Sequence, residues 1–192
     1  MQPHLQGPTT PRLIHRAMTT DDAEAFYALN SHPEVIRYTG EPPIESVEQA
    51  RDAIEHYPDF ETHGFGRWGC YLREDCAATG APAGTLIGFC GLKHLDELNE
   101  VDIGYRFFPE HWGRGYATEA GLASLAFGFD VLGPAIGLNR IIALVLPDNA
   151  ASIRVIEKLG MTYAGRQDCE GLDALRYEIE RDAGRSEHNA KN

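Results

Sequence analysis

Residues 102–120 read DIGYRFFPEHWGRGYATEA, and this stretch decides the fold. An apolar strand enters a tight glycine-containing turn, which opens directly into a long helix with apolar residues at helical spacing. Successive backbone N–H groups at such a helix start, with the positive end of the helix dipole behind them, form a ready site for a pyrophosphate. One G-x-G is weak evidence, but the strand–turn–helix context makes the prediction strong. The predicted pyrophosphate-binding residues are Gly113, Arg114, Gly115, Tyr116, Ala117 and Thr118.

The composition indicates one acidic globular domain. A chain of 192 residues with 43% hydrophobic and 24% charged residues is ordinary for a single soluble domain. The formal net charge of −12 argues against a nucleic-acid partner, which needs a basic surface. The acidity either attracts a cationic substrate such as an amine or serves only solubility. The four cysteines and eight histidines lack metal-ligand spacing, so no metal site is predicted.

The chain reads as one domain between two tails. Residues 1–11 lack an apolar signal core and predict a flexible N-terminal tail, and the polar residues 182–192 predict a C-terminal one. The domain spans residues 12–181. No apolar run of about 18 residues is present, so we expect no membrane span and a cytoplasmic location. Seven strands are predicted, at residues 12–18, 65–72, 85–92, 100–108, 140–146, 162–165 and 174–179.

The helix after the turn is predicted to run from Ala117 to about Val131. Its apolar residues recur at helical spacing, which indicates one face turned toward the core. The predicted inward residues are Leu122, Leu125, Ala126 and Phe129.

The chain resembles the GNAT (Gcn5-related) N-acetyltransferases, and within them the RimJ/RimL-like ribosomal-protein N-terminal acetyltransferases. WGRGYATEA at 112–120 and NAASIRVIEKLGM at 149–161 are close to that group's two most specific stretches, and RLIHRAM at 12–18 looks like its opening strand. Trp112 stands where the wider superfamily usually has Gln or Arg, and Trp is common in RimJ/RimL-like members. The resemblance implies an α/β fold, with a central mixed, mostly antiparallel sheet of about seven strands flanked by helices. It also implies acetyl-CoA as co-substrate.

The resemblance further implies where acetyl-CoA lies. The strand that begins at Asp102 should splay from the strand that begins at Arg140, and the pantetheine arm should lie in that opening. One backbone amide there, that of Phe107, would polarise the thioester carbonyl. Asn149 would contact the cofactor, although Asn at a helix start is also a normal N-cap. The implied cofactor-binding residues besides those of the turn are Tyr105, Arg106, Phe107, Trp112, Asn149 and Ser152.

Acetyl transfer needs a proton donor near the departing thiolate and a proton acceptor near the attacking amine. In the resembling group a serine lies near the cofactor sulfur, so Ser152 is the candidate acid for the departing thiolate. An alkyl amine, with a pKa of about 10, must lose a proton before it attacks. Asp102 and Glu100 are the candidate catalytic bases, Glu178 is a third, and a water path without a dedicated base is the alternative. No cysteine has a positioned base, so direct attack in a ternary complex is predicted.

The predicted function is acetyl-CoA-dependent N-acetylation of a primary amine. The acceptor is either a protein N-terminus or a small amine such as an amino acid, a polyamine or an antibiotic, and residues 32–58 should shape its site. The alternative is a non-catalytic acyl-CoA-binding sensor or scaffold. A P-loop nucleotide-binding protein would need G-K-[ST] at the turn, and GRGYAT lacks that lysine. The oligomeric state is left open between monomer and homodimer.

Overall fold

A computed structural model describes residues 2–169 and 171–181, and its centre is one mixed sheet. The strands are β1 (Gln6–Thr9), β2 (Leu13–Arg16), β3 (Arg67–Leu72), β4 (Leu86–Leu95), β5 (Glu100–Phe107), β6 (Arg140–Val145), β7 (Thr162–Cys169) and β8 (Leu172–Glu180). Their order in the sheet is β1-β2-β3-β4-β5-β6-β8-β7. β5 and β6 run parallel, and the other neighbouring pairs are antiparallel. The predicted fold class is confirmed, with eight strands where about seven were expected.

Helices cover both faces of this sheet. They are α1 (Ala23–Ser31), α2 (Pro33–Ile36), α3 (Val47–Glu55), α4 (Asp59–Thr62), α5 (Tyr116–Phe127), α6 (Gly133–Ile136) and α7 (Ala150–Lys158). Phe26 of α1 packs on Phe89, whereas Ser124 of α5 contacts Cys90. Neighbouring strand residues point to opposite faces, so α1 with α3 lies on one face and α5 with α7 on the other.

Gln6–Thr9 is part of the sheet, whereas the sequence predicted that these residues belong to a flexible tail. β1 pairs with β2 in antiparallel fashion, and Trp68 Nε1 donates to the carbonyl of His4 at 2.8 Å. Pro8 is tolerated because β1 is an edge strand, where one side of the backbone needs no ladder partner. β1 and β2 form a local hairpin, but the polar sequence of β1, with Gly7 and Pro8, lacks the apolar alternation that indicates a strand. The expected tail at 182–192 lies outside the described residues.

α5 packs through small residues, which corrects its predicted inward face. Leu122 is 49% exposed, whereas Gly121 and Ser124 are buried. A Cβ at Gly121 would lie 2.8 Å from the side chain of Leu159, so the helix can approach α7 this closely because no side chain intervenes. The middle of the buried helix face therefore consists of the small residues Ala120, Gly121 and Ser124, with the larger Tyr116 and Leu125 at its two edges.

One helical stretch in the described part of the chain, Tyr116–Ile136, is long and apolar enough to cross a membrane by length and composition alone. It is not an uninterrupted apolar run, since Thr118, Glu119 and Asp130 lie within it. It consists of α5, a π-helical turn at Gly128–Leu132 and α6, and it packs against β4 and β5. A helix in the core of a globular protein passes the same test, because it also buries apolar residues.

β5 and β6 meet at one point and then part. The register between them is Asp102 with Ile142. Asp102 Oδ2 accepts a hydrogen bond from Arg67 Nη2 at 2.8 Å, and its Oδ1 accepts from the backbone N–H of Leu144 at 3.3 Å. Burial raises the pKa of the Asp102 carboxyl, and the nearby guanidinium of Arg67 opposes that rise. This carboxylate therefore joins β5 to β6 and to β3.

A second polar cluster fixes the start of α5. Glu119 accepts hydrogen bonds from Thr10 Oγ1 at 2.6 Å and from Arg12 Nε at 2.6 Å. Arg12 Nη1 also donates to the carbonyl of Arg114 at 2.9 Å, and its guanidinium lies 4.3 Å from the centre of the Tyr116 ring. The segment before β2 thereby holds the glycine turn in place.

Removing the charge of Asp102 should destabilise the fold. Asp102→Asn would leave the Arg67 guanidinium without its counter-charge, so we expect the free energy of unfolding to fall by about 3 kcal/mol, measured by urea denaturation. The matched control is Asp173→Asn, since Asp173 pairs with Arg166 at the surface, where both side chains are more than half exposed. There the loss should stay below about 1 kcal/mol. Equal losses in the two variants would contradict the structural role of Asp102.

The contribution of Glu119 should depend on pH. Burial alone would raise the pKa of this carboxyl, but the hydrogen bonds from Thr10 and Arg12 outweigh it and hold that pKa below its ordinary value. A lowered carboxyl pKa gives stability that is present at neutral pH and is lost as pH falls through the folded-state value, below about 4.3. Glu119→Gln should therefore cost about 1 kcal/mol at pH 7, with the difference from wild type closing toward pH 3.

The control for this measurement is Glu24→Gln. Glu24 is an exposed carboxylate that lies in the first turn of α1, and Glu119 lies in the first turn of α5. The two residues therefore share a favourable position relative to a helix dipole. Its replacement should change stability by less than about 0.5 kcal/mol. If Glu119→Gln has an effect of equal size, or one that does not change with pH, then the hydrogen bonds from Thr10 and Arg12 to Glu119 do not stabilise the fold as proposed.

Candidate active site

Backbone groups of β5 face the gap that opens beside β6. The N–H of Phe108 donates to the carbonyl of Ile87 on the β4 side at 3.0 Å, and Gly88 stands opposite Phe107. Hydrogen-bonded and non-hydrogen-bonded pairs alternate along an antiparallel ladder. The backbone groups of Tyr105 and Phe107 therefore point away from β4, toward the gap. The carbonyl of Phe107 is occupied, because Trp112 Nε1 donates to it at 2.7 Å.

The same alternation separates Arg106 from its predicted neighbours. Its backbone belongs to the pair with Phe89 and faces β4. Its side chain lies on the other face of the sheet, where Nη1 donates to Asn30 Oδ1 at 2.6 Å and Nη2 to Glu41 Oε2 at 2.7 Å. The structure thus brings Tyr105 and Phe107 to the gap, while Arg106 lies outside it.

The start of α7 lies across the gap from β5. The phenol of Tyr105 donates to the backbone carbonyl of Ser152 at 3.2 Å. Asn149 is the N-cap of α7, and its Oδ1 accepts from the N–H of Ser152 at 3.1 Å. Burial raises the pKa of Tyr105, so the phenol stays protonated as a donor. The backbone of Ser152 is therefore held at the edge of the gap.

The glycine turn presents an exposed helix start. Gly113 and Gly115 have φ values of 70° and 80°, which an L-residue with a Cβ rarely adopts. A Cβ at Gly113 would meet nothing within 4 Å, so the backbone conformation, rather than crowding within the chain, requires glycine here. Residues 112–115 are exposed, and Ala117 and Thr118 are half-buried. Tyr116 is buried beneath Arg12 and forms the floor of the turn.

The three candidate bases are all engaged in ion pairs. Asp102 is held by Arg67 and by the amide of Leu144, as described above. Glu100 pairs with Arg140 at 3.2 Å and Arg176 at 2.7 Å, and lies five residues before Tyr105, about 17 Å along the strand. Glu178 lies 3.5 Å from Arg176. The structure brings Asp102 nearest to the gap and places Glu100 away from it.

A cavity of about 420 Å³ lies between the sheet and the helices α1, α3 and α4. Residues 41–57 supply part of its wall, within the segment expected to shape an acceptor site. Sequence reasoning missed the strand and helix residues that complete it, because their positions along the chain carry no common motif. Its aromatic wall consists of Phe26, Tyr57, Phe60 and Phe89, and its charged residues are Glu41, Glu55, Glu61, Arg67, Lys93 and Arg106.

The chain is similar to known acetyltransferases over most of its length. A family model described as an acetyltransferase (GNAT) domain matches residues 12–162. The uncharacterized N-acetyltransferase YoaA of Bacillus subtilis (strain 168) is 39% identical over 158 residues, covering 81% of this chain and 82% of that protein.

Solved structures share the fold. A GNAT-family acetyltransferase from Bacillus anthracis has a TM-score of 0.69 and 27% identity, covering 90% of this chain and 96% of that one. A spermidine N-acetyltransferase from Vibrio cholerae, solved with CoA and spermine, has a TM-score of 0.66 and 20% identity, covering 88% and 95%. The predicted family is confirmed by the extent of the family match and by the identity to YoaA. The chain belongs to the GNAT acetyltransferases, and it is an acyltransferase that takes its acetyl group from acetyl-CoA.

Proposed function

We propose that the protein transfers the acetyl group of acetyl-CoA to a primary amine, by direct attack within a ternary complex. The observation that carries this proposal is the position of β5 between two spaces. The backbone of Tyr105 and Phe107 borders the gap beside β6, and Arg106 of the same strand lines the cavity on the opposite sheet face. A donor in the gap and an acceptor in the cavity would meet at this strand.

The donor would be held at both ends. Its pyrophosphate fits the exposed N–H groups of residues 113–118, where the helix dipole favours negative charge. Its pantetheine arm fits the gap, where the N–H of Phe107 is directed toward the thioester oxygen. Trp112 supports this arrangement by binding the Phe107 carbonyl and leaving the amide to the ligand. Arg114 adds positive charge at the exposed turn.

The chemical step moves one acetyl group and one proton. The amine nitrogen attacks the thioester carbon, the oxygen becomes negatively charged, and the C–S bond then breaks. Ser152 at the edge of the gap would donate a proton to the departing thiolate and be reprotonated from solvent. The attacking amine would lose its proton to water in the cavity. We assign this to water because both oxygens of Asp102 are already occupied.

The acceptor we favour is a small amine with an apolar body. Four aromatic side chains line the cavity, which favours an apolar group. Arg67 and Arg106 are each paired with a carboxylate. Of the remaining charged residues, Glu55 and Glu61 outweigh Lys93 by one negative charge, which suits an ammonium group. The RimJ/RimL-like motifs support a protein N-terminus as the second class of acceptor. The comparisons give no support to a non-catalytic sensor.

The cellular setting is part of the same proposal. Cys70, Cys76 and Cys90 form no disulfide, and Cys70 and Cys90 are buried, which fits the reducing cytoplasm. The protein would act there on soluble acceptors as a monomer or homodimer.

The test is CoA release from acetyl-CoA with three groups of acceptors: apolar primary amines, polyamines and N-terminal peptides. We expect turnover with apolar amines, and Ser152→Ala should lower kcat by about 100-fold with unchanged acetyl-CoA affinity. Arg154→Ala, on the exposed side of the same helix, is the control and should keep wild-type kcat. If only the N-terminal peptides are acetylated, the acceptor is a protein N-terminus and the proposed small amine is wrong. An unchanged kcat in Ser152→Ala would remove the serine from the mechanism.

The turn can be tested separately through donor binding. Gly115→Ala should weaken acetyl-CoA binding by about tenfold, because φ near 80° strains a residue with a Cβ and distorts the N–H groups. Gly137→Ala is matched, since Gly137 has φ 73°, meets nothing within 4 Å and ends α6. Both variants should lose about 1 kcal/mol of stability. Calorimetry should show weaker acetyl-CoA binding for Gly115→Ala alone; an equal loss of affinity in both would refute the assignment.

A further inference from the structure

Two histidines and an aspartate meet on the sheet outside the two sites described above. His63 follows α4, His94 lies near the end of β4, and Asp96 begins the turn between β4 and β5. Their nearest ligand atoms all lie within 4.8 Å of one another. We infer that His63, His94 and Asp96 bind a divalent transition-metal ion of the Zn²⁺ type.

The distances fit one ion with donors at ordinary bond lengths. His94 Nδ1 lies 2.8 Å from Asp96 Oδ1, and His63 Nε2 lies 3.7 Å from the same oxygen. Tetrahedral zinc with bonds of about 2.0 Å separates its ligand atoms by about 3.3 Å. These two separations bracket that value. Because the nitrogen lone pair of an imidazole lies in the ring plane, the stacked rings must turn about their side-chain bonds before both can bind one ion.

The backbone already holds the three residues in place. His63 donates its N–H to the carbonyl of Asp59 at 2.9 Å, and His94 pairs with Val101 within the ladder. The carbonyl of Asp96 accepts the N–H of Asn99 at 3.3 Å in the turn. The two imidazole rings are stacked, with centres 4.6 Å apart and an angle of 28°. Binding would therefore require the rings to turn but little ordering of the backbone, which favours affinity.

The ligand chemistry points to a borderline metal with an open position. Two imidazole nitrogens and one carboxylate oxygen suit Zn²⁺, Co²⁺ or Ni²⁺ better than Mg²⁺ or Ca²⁺, which prefer oxygen ligands. Asp96 is 83% exposed along its side chain, so water can complete the coordination. Within the described residues, His63, His94 and Asp96 form the one group of three or more such ligands.

The cluster is separate from acetyl transfer. His94 points to the sheet face opposite its neighbour Lys93, which lines the cavity. It lies four residues from Cys90, the partner of Tyr105, or about 13 Å along β4. An ion here would join the segment after α4 to the β4–β5 turn and so stabilise the fold, with no part in the reaction.

The experiment is calorimetric titration of the full chain, without a polyhistidine tag, with Zn²⁺ at pH 7.5. We expect one equivalent to bind and the unfolding temperature to rise. His63→Ala and His94→Ala should each weaken binding by at least about tenfold. His56→Ala is the matched control, because His56 lies 3.0 Å from Asp52 without a third ligand, and it should bind as wild type. Unchanged acetyl-CoA affinity would show that each variant is folded.

A cobalt spectrum separates this site from others. Co²⁺ should give the visible absorption of a low-symmetry site with nitrogen and oxygen ligands. The proposal is overturned by no stoichiometric binding, by binding that survives both histidine variants, or by thiolate-to-Co²⁺ absorption that disappears in Cys76→Ser. None of these outcomes bears on the proposed acetyl transfer.

Discussion

The ion pair between Asp102 and Arg67 lies where β5 and β6 part, and the shapes of both the gap and the cavity depend on it. Asp102 joins the two strands at their one register position and also accepts the amide of Leu144. Beyond this point the strands diverge, so the backbone of Tyr105 and Phe107 is left facing a gap. The same ion pair places Arg67 in the wall of the cavity on the other face. Asp102, a candidate base from its position in the sequence, accepts a hydrogen bond at each of its oxygens and so also joins β5 to β3 and β6.

The turn that binds the pyrophosphate in this proposal relies on distant residues as well as on its own glycines. Gly113 and Gly115 adopt left-handed backbone, which a local sequence can specify. Its position relative to the sheet depends on Glu119, which is held by residues more than 100 positions earlier in the chain. Arg12 binds both Glu119 and the carbonyl of Arg114, so the edge of the sheet and the helix start move together. Rigid placement of this kind suits a site that must hold one end of a long cofactor while the other end reacts.

Sequence reasoning was most successful where structure follows from neighbouring residues. The turn and the N-cap at Asn149 rest on local backbone conformation and on hydrogen bonds three residues apart. It failed for β1, whose polar residues become a strand only by pairing with β2 and receiving the Trp68 side chain. It also failed for the face of α5, which is apolar nearly all round. The spacing of apolar residues does not show which face of such a helix is buried. In the fold, the close packing of Gly121 on Leu159 determines the buried face.

The family was recognisable from the order of amino acids alone. So were the position of the glycine turn and the residue that caps α7, Asn149. These depend on contacts within a few residues, which the order of amino acids specifies directly. The tertiary structure decided which carboxylates are free, since the arginines that neutralise Glu100 and Asp102 come from other strands. It also decided that Arg106 faces the cavity, and it brought His63 next to His94 from 31 positions away. Ion pairs and ligand clusters of this kind form between side chains that only the folded sheet brings within a few ångströms.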